Sequence, residues 1–291
     1  MTTLRVMSYN ILFGGVGREE LLRDAVRAID PGVAVFCEVT KEDSFRAIAD
    51  VVGPYRAQSG SRRARVAIAS RWPIIRVDTF GPSWAPRKWV AVAIRPFDGP
   101  PLYVCGVHLM PQPLWPFELW RLSQIRALLR DLRSRAGACH LLAGDFNSIA
   151  PGDTVRRGAA PGWVRVQWYL QGGAVPRWAL AALTRAGYRD CYRASNGENV
   201  GFTALSWNPH VRIDYVFASP ALAASLRRAD VLRPNRLASS PDAGYERLSL
   251  GELLGRTPIS DLGGEASDHL PVWADFEWPP AMEAGPNAIA G

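Results

Sequence analysis

The sequence contains no run of about 18 consecutive apolar residues, the length a helix needs to span a bilayer. Its start, "MTTLRVMSYN", has no charged segment leading into an apolar one, so a secretory leader is not expected and a cytoplasmic location is. Lysine is nearly missing: only Lys41 and Lys88 occur, and arginine supplies the other basic residues. Cysteine is scarce as well. Cys37, Cys105, Cys139 and Cys191 show no C-x-x-C spacing, which excludes the usual zinc-site and disulfide-framework patterns. Three of them lie in or beside apolar runs, where a reduced thiol packs as a small hydrophobe. No internal repeat and no shift in composition marks a second domain.

What is present suffices for one large core, with 48% hydrophobic and 10% aromatic residues in a chain of 291. The expected layout is a single domain over residues 1–278 and a disordered tail over 279–291. The net charge of +7 favours acidic partners: nucleic acid, anionic lipid or phosphorylated metabolites. The cluster "SRRAR" (Ser61 to Arg65) reads as a solvated loop or a docking patch.

Strand-like runs recur along the chain: "LRVMSY", "VAVFC", "RVAIAS", "WVAVAI", "LYVCGV", "HLLAG", "RIDYVFAS" and "PVWADF". Helical spacing shows in "REELLRDAVRAI" through Leu22, Val26 and Ile29. It shows again in "FELWRLSQIRALLRDLRSR", where Leu122, Ile125, Leu129 and Leu132 share a face and arginines are expected opposite. "PRWALAALTRAG" opens on Pro and closes on Gly187, a plausible start and stop. Two stretches, Pro151 to Gly173 and Arg233 to Ala266, read as elaborations on this frame.

The unusual polar residues fall at strand ends. Asn10 follows "LRVMSY", Glu38 follows "VAVFC", His108 closes "LYVCGV", and Asp145 follows "LLAG". In "LLAGDFNSIA" the pair Asp145 and Asn147 stands two residues apart, which in a continuing strand would set both on one face. A lone D-x-N is equally a turn whose side chains bond their own backbone. Asp214 lies near the start of its run, and Asp268 and His269 immediately precede theirs. For all seven to meet, some strands must run up and others down, so a mixed or antiparallel sheet is expected.

The stretches "MSYNIL", "FCEV", "IASRWPI", "GVHL", "GDFNS", "RIDYVFAS" and "SDHLPV", in this order, resemble the endonuclease/exonuclease/phosphatase superfamily over about residues 4 to 276. That group includes deoxyribonuclease-like nucleases, abasic-site endonucleases, sphingomyelinases and inositol-polyphosphate phosphatases. The resemblance implies an α/β (α+β type) fold, a four-layer α/β/β/α sandwich with two mixed β-sheets. Two departures stand out: Cys37 occupies a place where many relatives carry Gln. Arg87 and Lys88 lie near where deoxyribonuclease-like members keep a Glu to pair with the first His.

Carboxylates and carboxamides without cysteine suit a hard cation, Mg²⁺ or Mn²⁺. Glu38 is expected as the main metal ligand, as the resemblance also implies, with Asn10 completing the shell or holding a metal-bound water and Asp268 adding a carboxylate. Asp145 is expected to orient or deprotonate the attacking water and Asn147 to donate to a phosphate oxygen. His108 would donate to a non-bridging oxygen, and His269 would act with Asp214, the base being either His269 or Asp145. The remaining histidines, His140 and His210, are expected to be structural.

The expected activity is hydrolysis of a nucleic-acid phosphodiester by an activated water, as an endonuclease or exonuclease, which basicity and Arg/Trp-rich loops support. The alternative is a phospholipid headgroup or a small phosphorylated metabolite. For it, "MPQPLWPFELW" offers Met110, Leu114, Trp115, Phe117 and Trp120 as a peripheral membrane contact or a pocket lining. A non-catalytic binding module is the third reading.

Overall fold

The computed structural model describes residues 2–60, 65–81, 89–133, 137–233 and 265–279. Its first strands are β1 (Thr2–Asn10), β2 (Val33–Val39), β3 (Tyr55–Gln58), β4 (Arg65–Ser70), β5 (Ile74–Phe80) and β6 (Trp89–Ile94). There follow β7 (Leu102–His108), β8 (His140–Asp145), β9 (Arg189–Asp190), β10 (Asp214–Ala218), β11 (Leu226–Val231) and β12 (Val272–Trp278). They form two six-stranded sheets, ordered β11-β12-β1-β2-β4-β3 and β5-β6-β7-β8-β10-β9. Both are mixed: β1 with β2 and β7 with β8 run parallel, and every other pairing is antiparallel.

The helices are α1 (Glu19–Ile29), α2 (Glu42–Ala49), α3 (Trp115–Asp131), α4 (Gly162–Leu170), α5 (Trp178–Arg185), α6 (Cys191–Asn196) and α7 (Pro220–Ala223). α1 forms where the spacing of Leu22, Val26 and Ile29 predicts it, with Glu19 and Glu20 in its first turn favouring the helix dipole.

Strand alternation builds the layers. Along β2, Val33, Val35 and Cys37 enter the core between the sheets, whereas Ala34 and Phe36 pack with α1 and α2. Along β10, Val216 and Ala218 face the inter-sheet core and Tyr215 and Phe217 face α3 and α5. The result is the expected four-layer sandwich, with its inner strands covered on both faces.

All eight strand-like runs of the sequence are strands. The stretch from Pro151 to Gly173 holds a helix, α4, that its Gly-rich composition hides. α3 buries a different stripe from the expected one. Glu118, Arg121, Gln124, Ile125 and Leu128 are buried, and Leu122 and Leu129 only partly so. Arg121 is inside because Glu118 is inside with it. Arg62 and Arg63 of the "SRRAR" cluster, Arg87, Lys88, most of the second elaboration and nearly all of the tail lie outside the described residues.

Candidate active site at the sheet ends

Asn10, His108, Asp145 and Asp214 all continue inward-facing series: Leu4-Val6-Ser8-Asn10, Val104-Gly106-His108, Leu141-Ala143-Asp145 and Asp214-Val216-Ala218. Where the apolar inter-sheet core runs out, these polar side chains take its place. Register brings them together, since Asp145 pairs with His108 of parallel β7 and with Asp214 of antiparallel β10.

Glu38 arrives by another route. Strict alternation would send it with Phe36 toward the helices. Instead the β2–β4 ladder shifts register between Phe36 and Val39, and Glu38 adopts φ 63°. The irregularity re-aims the carboxylate, as bulges beside functional sites do. Glu38 Oε1 accepts a hydrogen bond from Asn10 Nδ2 at 3.2 Å, and Oε2 accepts one from the Phe13 amide at 3.1 Å.

Asn10 sits between the acids. Its Nδ2 also donates to Asp145 Oδ2 at 3.1 Å, and its Oδ1 accepts from the Leu12 amide at 3.1 Å. Asp145 is buried, with Oδ2 3.5 Å from His108 Nε2. Its Oδ1 accepts from the Asn147 amide at 2.8 Å, an Asx-type turn. The turn reading of D-x-N is therefore true, at a residue that is also in the cluster. The shared-face reading is not: the strand ends at Asp145, Asn147 takes φ 48°, and its Nδ2 donates to Leu109 O at 3.3 Å.

Asp214 Oδ2 lies 2.7 Å from His269 Nδ1, which makes that nitrogen the donor. His269 Nε2 lies 4.0 Å from Asp268 Oδ1. Asp145, Asp214 and His269 offer ligand atoms all within 4.8 Å of one another, a different trio from the Asn10, Glu38 and Asp268 expected as metal residues. Asp214 Oδ1 is buried without a hydrogen bond among the described residues.

Electrostatics follow from crowding acids out of water. Burial, with Asp214 and Glu38 nearby, raises the Asp145 pKa to about 7 against the pull of His269 and the Asn147 amide. Burial also raises Asp268, which His269 opposes. For His269 burial acts downward, but Asp214 and Asp268 outweigh it and hold the imidazole cationic well above its ordinary value. Burial and the Asp145 charge push the Cys37 thiol far up, so it is an inert packing group here.

Several supports carried no sequence signal of their own. Thr203 Oγ1 accepts from the amides of Ile213 and Asp214 at 3.1 and 3.2 Å, and the Leu270 amide donates to Thr203 O at 2.8 Å. One residue thus aligns the strand bearing Asp214 with the segment bearing His269. Ser267 Oγ donates to Asn10 O at 2.7 Å. Arg18 donates to the carbonyls of Ile11, Leu12 and Ala266, fastening the segment after Asn10 to the segment before Asp268. Arg212 of "RIDY" turns away from the cluster to a buried pairing with Asp153 and Asp190.

The sequence model of the endonuclease/exonuclease/phosphatase family matches residues 7–269. The chain belongs to this family. No curated protein sequence matches it. Solved structures of similar fold include a variant of NExo, a 3' phosphatase from Neisseria, bound to a product DNA hairpin. It is 22% identical with a TM-score of 0.65, covering 94% of this chain and 100% of that one. An AP endonuclease from Archaeoglobus fulgidus is 18% identical with a TM-score of 0.65, covering 94% and 99%. A humanized D. rerio TDP2 is 16% identical with a TM-score of 0.62, again covering 94% and 99%. The endonuclease/exonuclease/phosphatase family is metal-dependent, and in this member acidic and histidine side chains form a buried cluster.

Proposed function

We propose that this protein hydrolyses phosphodiesters of nucleic acid by in-line attack of an activated water, as an endonuclease or exonuclease. One observation carries the reading: Asp145 stands at the sheet ends between Asn10 and His108 on one side and the Asp214–His269 pair on the other. The net charge of +7 and the DNA-bound relative support nucleic acid as the substrate class.

The residues fit a Mg²⁺ or Mn²⁺ ion. The donor set is oxygen-rich, the buried Asp214 Oδ1 lacks a hydrogen bond among the described residues, and the raised Asp145 and Asp268 are acids short of positive charge. Glu38 and Asp268 would hold the ion, with Asn10 completing the shell or steadying a bound water. Such a cation supplies charge neutralisation at the phosphoryl oxygens when bound.

The chain's own groups divide the remaining work. Asp145 orients and accepts the proton of the attacking water, since His269, already cationic through Asp214, is poor as a base and good as a donor. His108 donates to a non-bridging oxygen, where charge grows in the transition state. Asn147 holds the turn beyond Asp145 through its backbone N–H and offers the second hydrogen of its Nδ2 to the phosphate.

Nicking of supercoiled plasmid in Mg²⁺ tests the reading, beside a chelated sample and folded Asp145→Ala and His269→Ala variants. Either substitution lowers turnover at least ~10²-fold. Absence of nicking by the folded parent removes the endonuclease, and failure to degrade a linear duplex as well refutes the nucleic-acid reading. The second reading, a phospholipid headgroup or small phosphorylated metabolite, then takes its place, and the exposed aromatic surface beside the site favours it.

A further inference from the structure

α4 is apolar on both sides. Val164 and Trp168 point inward and pack with Ile149, Ala160, Ala204 and Val211. Trp163, Val166, Tyr169 and Leu170 share the opposite side at i, i+3, i+6 and i+7, and all four stand in solvent. Tyr169 is 82% exposed, Leu170 73% and Val166 57%. A surface helix ordinarily sets polar residues there, and a helix apolar all round is ordinarily covered.

The surface extends beyond α4. Gln171 Oε1 accepts from the Trp115 amide at 2.9 Å, its Nε2 donates to Pro113 O at 3.2 Å, and Gln167 Nε2 donates to Gln112 Oε1 at 3.4 Å. These bonds lay the start of α3, with exposed Trp115 and Leu119, against α4. The Ala179 amide donates to Glu118 of α3 at 2.8 Å, which brings exposed Trp178 to the same region. The surface adjoins the candidate site, because Gln112 follows His108 closely and Asn147 bonds the intervening Leu109 carbonyl.

Charge says what covers it. From Thr154 to Arg189 the chain has six arginines and no aspartate or glutamate. Arg165 is exposed on α4 itself, and the Arg157 guanidinium lies over the Trp168 ring at 5.8 Å. Aliphatic groups beside Trp and Tyr, edged by arginine without acid, match a bilayer interface. Acyl chains take the Val and Leu, the headgroup region takes the aromatics, and anionic headgroups take the guanidinium groups. A base-stacking platform would leave Val166 and Leu170 unexplained. Among the described residues no helix is long and apolar enough to cross a membrane, so such contact would be peripheral.

We propose that α4, with the starts of α3 and α5, docks this protein on anionic lipid surfaces, whichever phosphoester it cleaves. Co-sedimentation of the full chain with vesicles of phosphatidylcholine, alone or mixed with phosphatidylglycerol, tests it. The protein sediments with the mixed vesicles and at least about tenfold more weakly with the neutral ones. Tyr169→Ser with Leu170→Ser lowers binding at least about tenfold while the circular dichroism spectrum stays unchanged. Arg165→Glu weakens binding to the mixed vesicles only. The proposal is overturned if neither vesicle binds, if both bind equally, or if the double variant binds like the parent. It is also overturned if the double variant instead loses retardation of a single-stranded oligonucleotide, or loses a concentration-dependent dimer, with vesicle binding intact.

Discussion

Gly144 shows how tightly one residue constrains the cluster. It has φ 149°, and a Cβ placed on it would lie 1.8 Å from Val107 O, with the Val107 amide nitrogen at 3.0 Å. No rotamer relieves a clash with backbone. β7 and β8 approach here because position 144 is empty, and that approach sets the distance between His108 and Asp145, the next register pair. Gly144→Ala is therefore expected to cost at least about 3 kcal/mol in urea denaturation, above the usual range for overpacking, and to lower turnover together with stability. A loss below about 1 kcal/mol would mean that the two strands spread freely, and the cluster would then not depend on their spacing. The same scale explains Asp145 and Asn147, whose turn bond and site placement are one arrangement.

Among elements, α3 is the one whose inner face invites a mutation. The buried Glu118 carboxylate accepts from Arg121 Nε at 2.8 Å, from Ser148 Oγ at 3.0 Å and from the Ala179 amide at 2.8 Å. Arg121 in turn donates to the carbonyls of Met110 and Gln112, each at 2.8 Å. One carboxylate thus joins α3, α5 and the turn carrying Asn147. Glu118→Gln leaves the Arg121 guanidinium buried without its counter-charge, for which a loss of ~3–5 kcal/mol in the urea-unfolding free energy is expected. An unchanged midpoint would assign the network no stabilising role. Sequence patterning misses this because periodicity predicts which face of a helix is apolar, and here the first half of the buried face, Glu118, Arg121 and Gln124, is polar. The strands divide in the same physical way. The eight legible ones sit inside the sheets and are largely apolar on both faces. The four that patterning does not mark, β3, β5, β9 and β11, are the four sheet edges. Exposed Ile75 and Val77 on β5, and "LRRADV" on β11, show how an edge breaks the signal. The candidate residues were legible because they border apolar runs, Asn10, Glu38, His108 and Asp145 at the ends and Asp214, Asp268 and His269 at the starts. Glu38's re-aiming, Thr203 and Arg18 were not, because bulges and long-range hydrogen bonds leave no local period.

At the scale of the whole molecule, the candidate site exists only when the two sheets are closed on each other. The segment from Phe202 to Ile213 joins them. Thr203 bonds Val211 and Leu270, the Ser206 amide donates to Asp268 O at 2.8 Å, and the Arg156 amide donates to His210 O at 3.0 Å. His210 is buried in this join, with Nδ1 3.2 Å from Asn208 O, so the imidazole donates through Nδ1. Burial holds its pKa below 6.5, Arg156 adds to that, and the Asn208 carbonyl opposes it. The folded chain therefore keeps His210 neutral where the unfolded chain begins to protonate it. Well above pH 6.5 neither state takes the proton and the residue contributes no pH dependence. As pH falls through about 6.5 the unfolded state gains a proton that the folded state refuses, and stability drops until the folded pKa is reached. His269 has the opposite sign: its raised pKa adds stability that is full below 6.5 and fades as pH rises through the folded value. Comparing the parent with His210→Gln cancels that contribution, which both proteins share. Between about pH 7.5 and about pH 5 the parent's urea midpoint should fall further than the variant's. Parallel curves would mean that His210 protonates equally in both states, and the join between the sheets would then admit a charge.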